Sequence, residues 1–192
     1  MTFTTVVIIV LALIVVWFIA TNNKLIRFIE EVNNNKKQID VQLDRRFKVF
    51  ESLIEVVKKY MDYEKTTLKE VVALRNQAKK AESEGHEKER MAAEDAISKI
   101  GSSINFLFEQ YPDLKANQNA LQLQEEIVNT ENQLAFAKQA YNDSIEKYNA
   151  LRKALLTSMV VSAYSSKLYK DFIYWGISDE KRQQQEEYKV KM

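Results

Sequence analysis

The feature that most constrains this chain is a run of uncharged, mostly apolar residues at its start. Residues 2–20 read TFTTVVIIVLALIVVWFIA, and the first charged side chain is that of Lys24. A helix of roughly 19 residues rises close to 30 Å, which matches the hydrocarbon core of a bilayer. A lone strand would leave its backbone groups unpaired in lipid, so the many Val and Ile residues do not favour a strand here. We therefore predict a membrane anchor at residues 1–22 that contacts the lipid bilayer through residues 2–20.

Three other kinds of segment share this composition. A buried core helix is disfavoured because the run is apolar on every face and opens the chain. A cleaved signal peptide needs a basic n-region and a small-x-small cleavage site, and residues 1–5 contain no Lys or Arg. A lipoprotein signal needs a cysteine, which the chain lacks. An uncleaved anchor is the interpretation that we favour.

The rest of the composition indicates long helices. The 192 residues include only three Gly and one Pro, far below average usage of about 7% and 5%. Sheets and loop-rich folds need these turn residues, whereas long helices do not. The 28 basic and 27 acidic residues nearly cancel, which argues against a nucleic-acid partner. The absence of Cys excludes disulfides and thiolate metal sites and is compatible with a reducing compartment.

Apolar residues after the anchor recur at steps of three and four, the period of an amphipathic helix. From Leu25 onward no Gly or Pro intervenes before Gly85, so we predict one long helix to about Lys80, with the asparagines at 33–35 as its weakest point. Residues 82–88 are charged and read as a loop. A second helix is predicted over about 89–110. A third is predicted from 115 or 120 to about 157.

Helices of this length bury their apolar stripes by packing side by side in an up-down arrangement. The predicted fold class is therefore all-α, with a single N-terminal transmembrane helix followed by a long antiparallel three- to four-helix bundle. The bundle is predicted to occupy residues 23–176. The polar tail, residues 177–192, is predicted to be a frayed helix or disordered.

Four blocks of this sequence resemble the LemA family. They are QIDVQLDRR (38–46), LIEVVKKYMDYEKTTLKEVVALR (53–75), YPDLKAN (111–117) and NTENQLAFAKQAYNDSIEKYN (129–149). The resemblance covers about residues 20–150 and implies a single anchor, an antiparallel helical bundle and a place in the bacterial cytoplasmic (inner) membrane. It implies no known enzymatic activity, and some relatives remodel internal bacterial membranes.

The chain departs from the family pattern at two positions. Residues 48–54 read KVFESLI where the family commonly has a stretch like DLIPNLV, so the helix should be less kinked here. Residues 150–153 read ALRK where a Phe-Pro-Ser is common. The resemblance therefore says least about the C-terminal third.

The first of the family blocks contains a polar cluster. Its members are Gln38, Asp40, Gln42, Asp44, Arg45 and Arg46. The interpretation we favour is a network of ion pairs between helices, with Arg46 meeting a Glu such as Glu131 on the third long helix. Such pairs fix register more than they add stability. The alternative is a site that binds a ligand or a protein partner.

We expect no catalytic, cofactor-binding or metal-binding residues, and predict that the protein is not an enzyme. His86 is the only His, whereas a structural zinc site uses four nitrogen or sulfur ligands. The sequence contains no Gly-rich phosphate loop and no G-x-S-x-G or H-E-x-x-H motif. The adjacent pairs Glu94–Asp95 and Glu125–Glu126 point apart on a helix.

The end of the bundle region, LLTSMVVSAYSSKLYKDFIYWG (155–176), is unusually apolar and aromatic. We favour a fourth core helix here. The alternative is an amphipathic segment at a membrane interface. Its candidate interfacial residues are Tyr164, Lys167, Tyr169, Lys170, Phe172, Tyr174 and Trp175.

Two functions follow from these readings. The first is a membrane-anchored scaffold that binds other proteins or forms a homo-oligomer. The second is a lipid-binding or membrane-remodelling protein that acts through the aromatic segment. The sequence names no protein partner.

The charges that flank the anchor predict its orientation. Lys24, Arg27, Lys36 and Lys37 follow the run, whereas the five residues before it carry no charged side chain. Basic residues close to a span favour the cytoplasmic side. We predict that the N-terminus lies outside and the bundle in the cytoplasm; the alternative is an exported bundle.

Overall fold

A computed structural model of the chain describes residues 2–57, 64–110, 112 and 116–176. Nearly all of these residues are helical, and no strand occurs among them. The helices are α1 (Phe3–Val57), α2 (Glu64–Ser83), α3 (Glu87–Gln110), α4 (Gln118–Lys153), α5 (Leu155–Ala163) and α6 (Ser165–Leu168). The predicted all-α class is confirmed. The predicted tail, residues 177–192, lies outside the described residues.

The first part of α1 is apolar and exposed. Within the described residues, α1 is the one helix that is long and apolar enough to cross a bilayer, by length and composition, and none of its most apolar window is buried. The helix continues without a break through the asparagines at 33–35, because Asn35 directs its side-chain amide to the carbonyl of Ala140 (3.1 Å) instead of its own backbone. A stripe that faces the rest of the protein begins at Phe18 and continues to the fully buried Leu25 and Val32.

The chain forms two compact units. Among the described residues, unit 1 comprises residues 2–37 and 139–174, and unit 2 comprises residues 38–138 with Trp175 and Gly176. Both α1 and α4 contribute one part of their length to each unit.

Unit 2 is a four-helix bundle. Its core takes residues from α1, α2, α3 and α4: Val49, Phe50, Leu53, Ile54, Val71, Ile97, Ala120 and Ile127. Asp44 of α1 contacts Arg75 of α2 (2.5 Å). In one straight helix, residues 31 positions apart would be separated by roughly 46 Å. The prediction of a single helix from the anchor to Lys80 is therefore wrong, and α2 runs antiparallel to α1.

The ends of the unit 2 helices follow local sequence rules. Gly85 adopts φ +75°, the left-handed conformation that glycine tolerates best. The amide of Gly85 donates to the carbonyl of Glu82 (3.2 Å), and that of His86 to Ala81 (2.8 Å). This pair of bonds is a Schellman motif, which ends α2. The predicted loop at 82–88 is thus a turn of three residues. At the start of α4, the side chain of Asn117 accepts from the amide of Ala120 (3.1 Å), as an N-cap does.

In unit 1, α4 lies antiparallel to α1. Lys147 reaches Glu31 (3.5 Å), and Asn35 reaches Ala140. Beyond Ala154 the apolar stretch is not a fourth core helix, so that prediction is wrong. It forms the short helices α5 and α6, and residues 169–174 that follow are neither helix nor strand. Tyrosines of α4 hydrogen-bond to backbone groups of this segment, as described below.

Candidate functional site

The best-formed polar site in unit 2 is centred on Arg46 of α1. Its side chain is 1% exposed, and its guanidinium pairs with the carboxylate of Glu94 on α3. The same guanidinium donates to Ser98 (2.7 Å) and lies 3.5 Å from Glu131 on α4. The predicted pair between Arg46 and Glu131 is confirmed. Because a buried charge needs partners, this set of contacts fixes three helices around one cation.

A second buried guanidinium, that of Arg90 on α3, has three carboxylate partners. It pairs with Asp40 on α1, with Glu82 on α2 (3.2 Å) and with Glu87 (3.8 Å). Its guanidinium carbon also lies 5.3 Å from the ring centre of Trp175, within range of a cation–π interaction.

A third arginine, Arg75 of α2, returns to α1. It donates to Asp44 (2.5 Å), which also meets Lys48 (3.1 Å). Its guanidinium carbon stacks 3.8 Å from the ring centre of Phe47. Arg46, Arg75 and Arg90 with their carboxylate partners are called the arginine network below.

The structure divides the predicted polar cluster. Asp40, Asp44 and Arg46 join the arginine network. Arg45 faces outward, with a half-exposed pair to Glu126 on α4 (3.0 Å). Gln38 is exposed, and Gln42 is partly buried. Of the six residues, Arg46 alone is fully buried, and the side chains of Asp40 and Asp44 remain partly exposed while they pair with buried or half-buried arginines.

Burial and charge shift three pKa values in the network. Burial raises the pKa of the Glu94 carboxyl, although Arg46 and Arg90 oppose this. Burial also disfavours the charged form of Arg90, but Asp40, Glu82 and Glu87 outweigh it, and the pKa of Arg90 is raised. Hydrogen bonds from Arg75 and Lys48 lower the pKa of Asp44. Each shift arises from a partner or from burial within the bundle.

Two of the clefts in the described part of unit 2 adjoin polar residues. One of about 190 Å³ is lined by residues of the arginine network together with Leu43, Ala78 and Lys79. The other, of about 430 Å³, lies between α1 and α4 and is lined by Ser52, Glu55, Val56, Asn119, Gln122, Leu123 and Glu126. Among the described residues no group of three or more His, Cys, Asp and Glu side chains could hold a metal ion.

Sequence reasoning missed Glu94, Arg90 and Arg75 as members of the site. A signal was present in α3, where Arg90, Glu94, Ile97 and Gly101 follow steps of four, three and four and are all buried. Charged residues at stripe positions of an amphipathic helix point inward. Arg46 likewise falls on the α1 stripe, between Leu43 and Phe50.

The C-terminal segment forms a separate polar site in unit 1. The buried hydroxyl of Tyr148 donates to the carbonyl of Leu168 (2.5 Å) and accepts from the amide of Lys170 (2.8 Å). Arg152 donates to the carbonyl of Lys170 (2.8 Å), and Tyr141 to that of Ile173 (3.1 Å). These bonds replace the intrahelical partners that the non-helical backbone lacks.

The candidate interfacial residues do not share one environment. Tyr164, Lys167, Tyr169 and Lys170 are exposed. Phe172 is half-buried and packs edge-on against Tyr148, with ring centres 5.4 Å apart. Tyr174 is half-buried beside Asn149 (3.2 Å), and Trp175 is buried. The interfacial role of these residues stays a prediction. Of the seven, Tyr164, Lys167, Tyr169 and Lys170 are the exposed ones.

The chain matches a known protein family over most of its length. The LemA family model matches residues 35–191. The chain belongs to the LemA family. This LemA match extends past residue 150, so it includes the C-terminal third that the resemblance in the sequence left open.

One curated relative carries the family's name. Protein LemA of Metamycoplasma hominis is 25% identical over 152 residues, which cover 79% of this chain and 61% of the relative. The matched part of this chain thus spans about three fifths of that relative's length.

Proposed function

We propose that this LemA-family protein is a non-enzymatic, membrane-anchored helical scaffold of the bacterial cytoplasmic membrane. The observation that carries the proposal is the exposed apolar start of α1. Large apolar side chains from Val6 to Val16 point outward around the whole helix, and a continuous exposed apolar surface marks contact with a membrane or a protein. The same helix continues into the core of unit 2.

The arginine network supports a structural role for the bundle interior. Its guanidinium groups each have a carboxylate partner on another helix, so these ion pairs stabilise helix register. Binding to other proteins, or to further copies of this chain, is then assigned to the outer surfaces. The bundle is proposed to lie in the cytoplasm, because the basic residues follow the span.

Extraction of membranes with alkaline carbonate tests the anchor. The full chain should remain with the membrane pellet. A variant with Val10→Lys and Leu13→Lys should appear in the supernatant, since each charge at the centre of a span costs about 2.5–3.5 kcal/mol. Phe136→Lys, at an exposed apolar site outside the anchor, is the matched control and should stay in the pellet. Equal retention of all three would contradict anchoring through this segment.

Cross-linking in native membranes tests the scaffold role. Amine-reactive cross-linking of the full chain should give discrete adducts with itself or with other proteins, identified by mass spectrometry. The same reaction after dilution in detergent is the control and should remove adducts that depend on the membrane assembly. Recovery of monomer alone would contradict a scaffold, as would turnover of a substrate by the purified protein.

A further inference from the structure

The helix α5 is apolar on the face that it buries and on the face that it exposes. Thr157, Val160 and Val161 are buried. The opposite face consists of Leu155 (84% exposed), Leu156 (59%) and Met159 (69%), followed by the exposed Ser162 and Ala163. A surface helix normally has a polar outer face, and a helix that is apolar all round is buried in a core or in lipid.

The sequence around α5 is uncharged for thirteen residues, from Ala154 to Ser166, and basic on both sides. Arg152 and Lys153 precede the run, and Lys167 and Lys170 follow it. Basic residues of this kind attract anionic lipid headgroups. With nine residues, α5 is roughly 13 Å long and too short to cross a bilayer of about 30 Å.

The position of α5 in unit 1 is set by an aromatic contact. The ring of Tyr164, directly after α5, lies 5.8 Å from the ring of Phe18 in α1. Phe18 is near the end of the uncharged run of α1, six residues before Lys24. If residues 2–20 cross the bilayer, this contact places Tyr164 at the level where α1 leaves it, which is where aromatic side chains concentrate.

We propose that α5 is a second membrane-contacting element, which lies in the same leaflet that α1 exits and inserts Leu155, Leu156 and Met159 between the lipids. The inference rests on the proposed anchor. The occupant of this face is the lipid bilayer, because the apolar surface of α5 adjoins the end of the apolar surface of α1. An element of this kind enters about 5–10 Å into the boundary between headgroups and acyl chains.

Exposed apolar residues elsewhere give a contrast. On α4, Phe136 is 66% exposed, but its neighbours on the same face, Asn132 and Gln133, are polar. Isolated exposed apolar residues are common in soluble proteins. Phe136 therefore serves as the matched control for a position on the surface of unit 2.

The absence of Cys makes the full chain suitable for single-site labelling. We would introduce Met159→Cys, Phe136→Cys or Leu11→Cys, attach an environment-sensitive nitrobenzoxadiazole label and reconstitute the chain in vesicles of phosphatidylcholine with some phosphatidylglycerol. All three side chains are exposed, so labelling should leave the helical circular dichroism unchanged. Leu155→Cys is the second position on α5 if Met159→Cys does not fold.

Quenching by doxyl-labelled lipids is the measurement. The doxyl group lies near the top of the acyl chain for the labels at 159 and 136, and near the end of the acyl chain for the label at 11, which is at the centre of the span. The label at 159 should have blue-shifted emission and lose much of it to the quencher, whereas the label at 136 should lose none. Quenching at 11 without quenching at 159 would overturn the role of α5 and leave the anchor intact. No quenching at 11 would overturn the anchor itself. Blue-shifted emission at 159 that the quencher does not reduce would mean that protein, and not lipid, covers α5. That result also overturns the inference.

Discussion

Arg46 and Glu94 form an ion pair inside unit 2, with 1% and 10% of their side chains exposed. The pair joins α1 to α3, and Glu131 and Ser98 complete the surroundings of the guanidinium. Removal of one member of a buried pair leaves the other charged and uncompensated, which is far more costly than the pair's net contribution.

Truncation of Arg46 should therefore be strongly destabilising. We expect Arg46→Ala to lower the free energy of unfolding by about 3–5 kcal/mol, measured by urea titration of the full chain in detergent and followed by circular dichroism. The neighbouring Arg45→Ala removes a half-exposed pair with Glu126 and should cost only about 0.2–1 kcal/mol. Equal losses for the two variants would show that Arg46 is not the centre of the network.

The pH dependence of stability should report on Glu94. Its pKa is raised in the folded state by burial, so the folded protein holds the proton more tightly than the unfolded chain does. The free energy of unfolding should then fall as pH rises from 4.5, the ordinary pKa of a Glu carboxyl, through the raised pKa of the folded state. Glu94→Gln cannot titrate, so the decline should be absent from its profile over this range.

The matched control for this pH profile is Glu126→Gln, at the exposed pair with Arg45. It retains Glu94 and should retain the wild-type decline. A profile for Glu94→Gln that still falls over the same range would assign the decline to another carboxyl.

Sequence reasoning anticipated Arg46, Asp40 and Asp44 of this network but missed Arg75, Arg90 and Glu94. Arg46 was expected to meet Glu131, and it does, because both fall on helix faces that pack together. Glu94 is one of two adjacent carboxylates that point apart on α3, and its position on the α3 stripe points it inward. Sequence periodicity gives the face of a residue and says little about which partner lies across a bundle interior.

The helix boundaries also show that a local sequence pattern does not report tertiary packing. Residues 57–64 contain no Gly or Pro, so local rules predicted one helix where the structure has α1 and α2. Antiparallel packing of α2 on α1 buries both stripes, and this tertiary gain is not visible in a local pattern. The fourth core helix predicted for the C-terminal segment is wrong for a related reason, because Tyr148 and Tyr141 of α4 hydrogen-bond to backbone groups of its non-helical part.

Close packing at Gly101 of α3 gives a prediction whose sign opposes helix propensity. An added Cβ would lie 2.5 Å from Cζ of Phe50, a fully buried ring that has little room to withdraw. Gly→Ala inside a helix normally gains about 1 kcal/mol, but here we expect Gly101→Ala to cost about 1–3 kcal/mol through overpacking. Urea unfolding measures the difference.

A double-mutant cycle isolates the contact between Gly101 and Phe50. Phe50→Leu shortens the facing side chain, and Gly101→Ala should be neutral or stabilising in that background. If the cost of Gly101→Ala is the same in both backgrounds, the contact with Phe50 is not its cause.

Tyr148 should hold the C-terminal segment against α4. Tyr148→Phe removes one hydroxyl that serves both the carbonyl of Leu168 and the amide of Lys170. We expect a loss of about 1–3 kcal/mol, because both backbone groups lose their partner in a buried setting. Hydrogen exchange at the amide of Lys170 should accelerate, whereas the exposed Tyr169→Phe should leave that exchange rate unchanged. Unaltered exchange in Tyr148→Phe would contradict the role.

The last prediction concerns the side of the membrane on which the units lie. Lys24, Arg27, Lys36 and Lys37 follow the anchor within the distance over which basic residues bias orientation. With Phe136→Cys as a single label site, a membrane-impermeant maleimide should not react in intact spheroplasts and should react after lysis. A second variant moves basic residues to the N-terminal side of the anchor, with Thr2→Lys and Thr4→Lys before it and Lys24→Gln and Arg27→Gln after it. Labelling of this variant in intact spheroplasts should increase. Full labelling of Phe136→Cys before lysis, in the chain with its natural flanking residues, would place the bundle outside the cytoplasm.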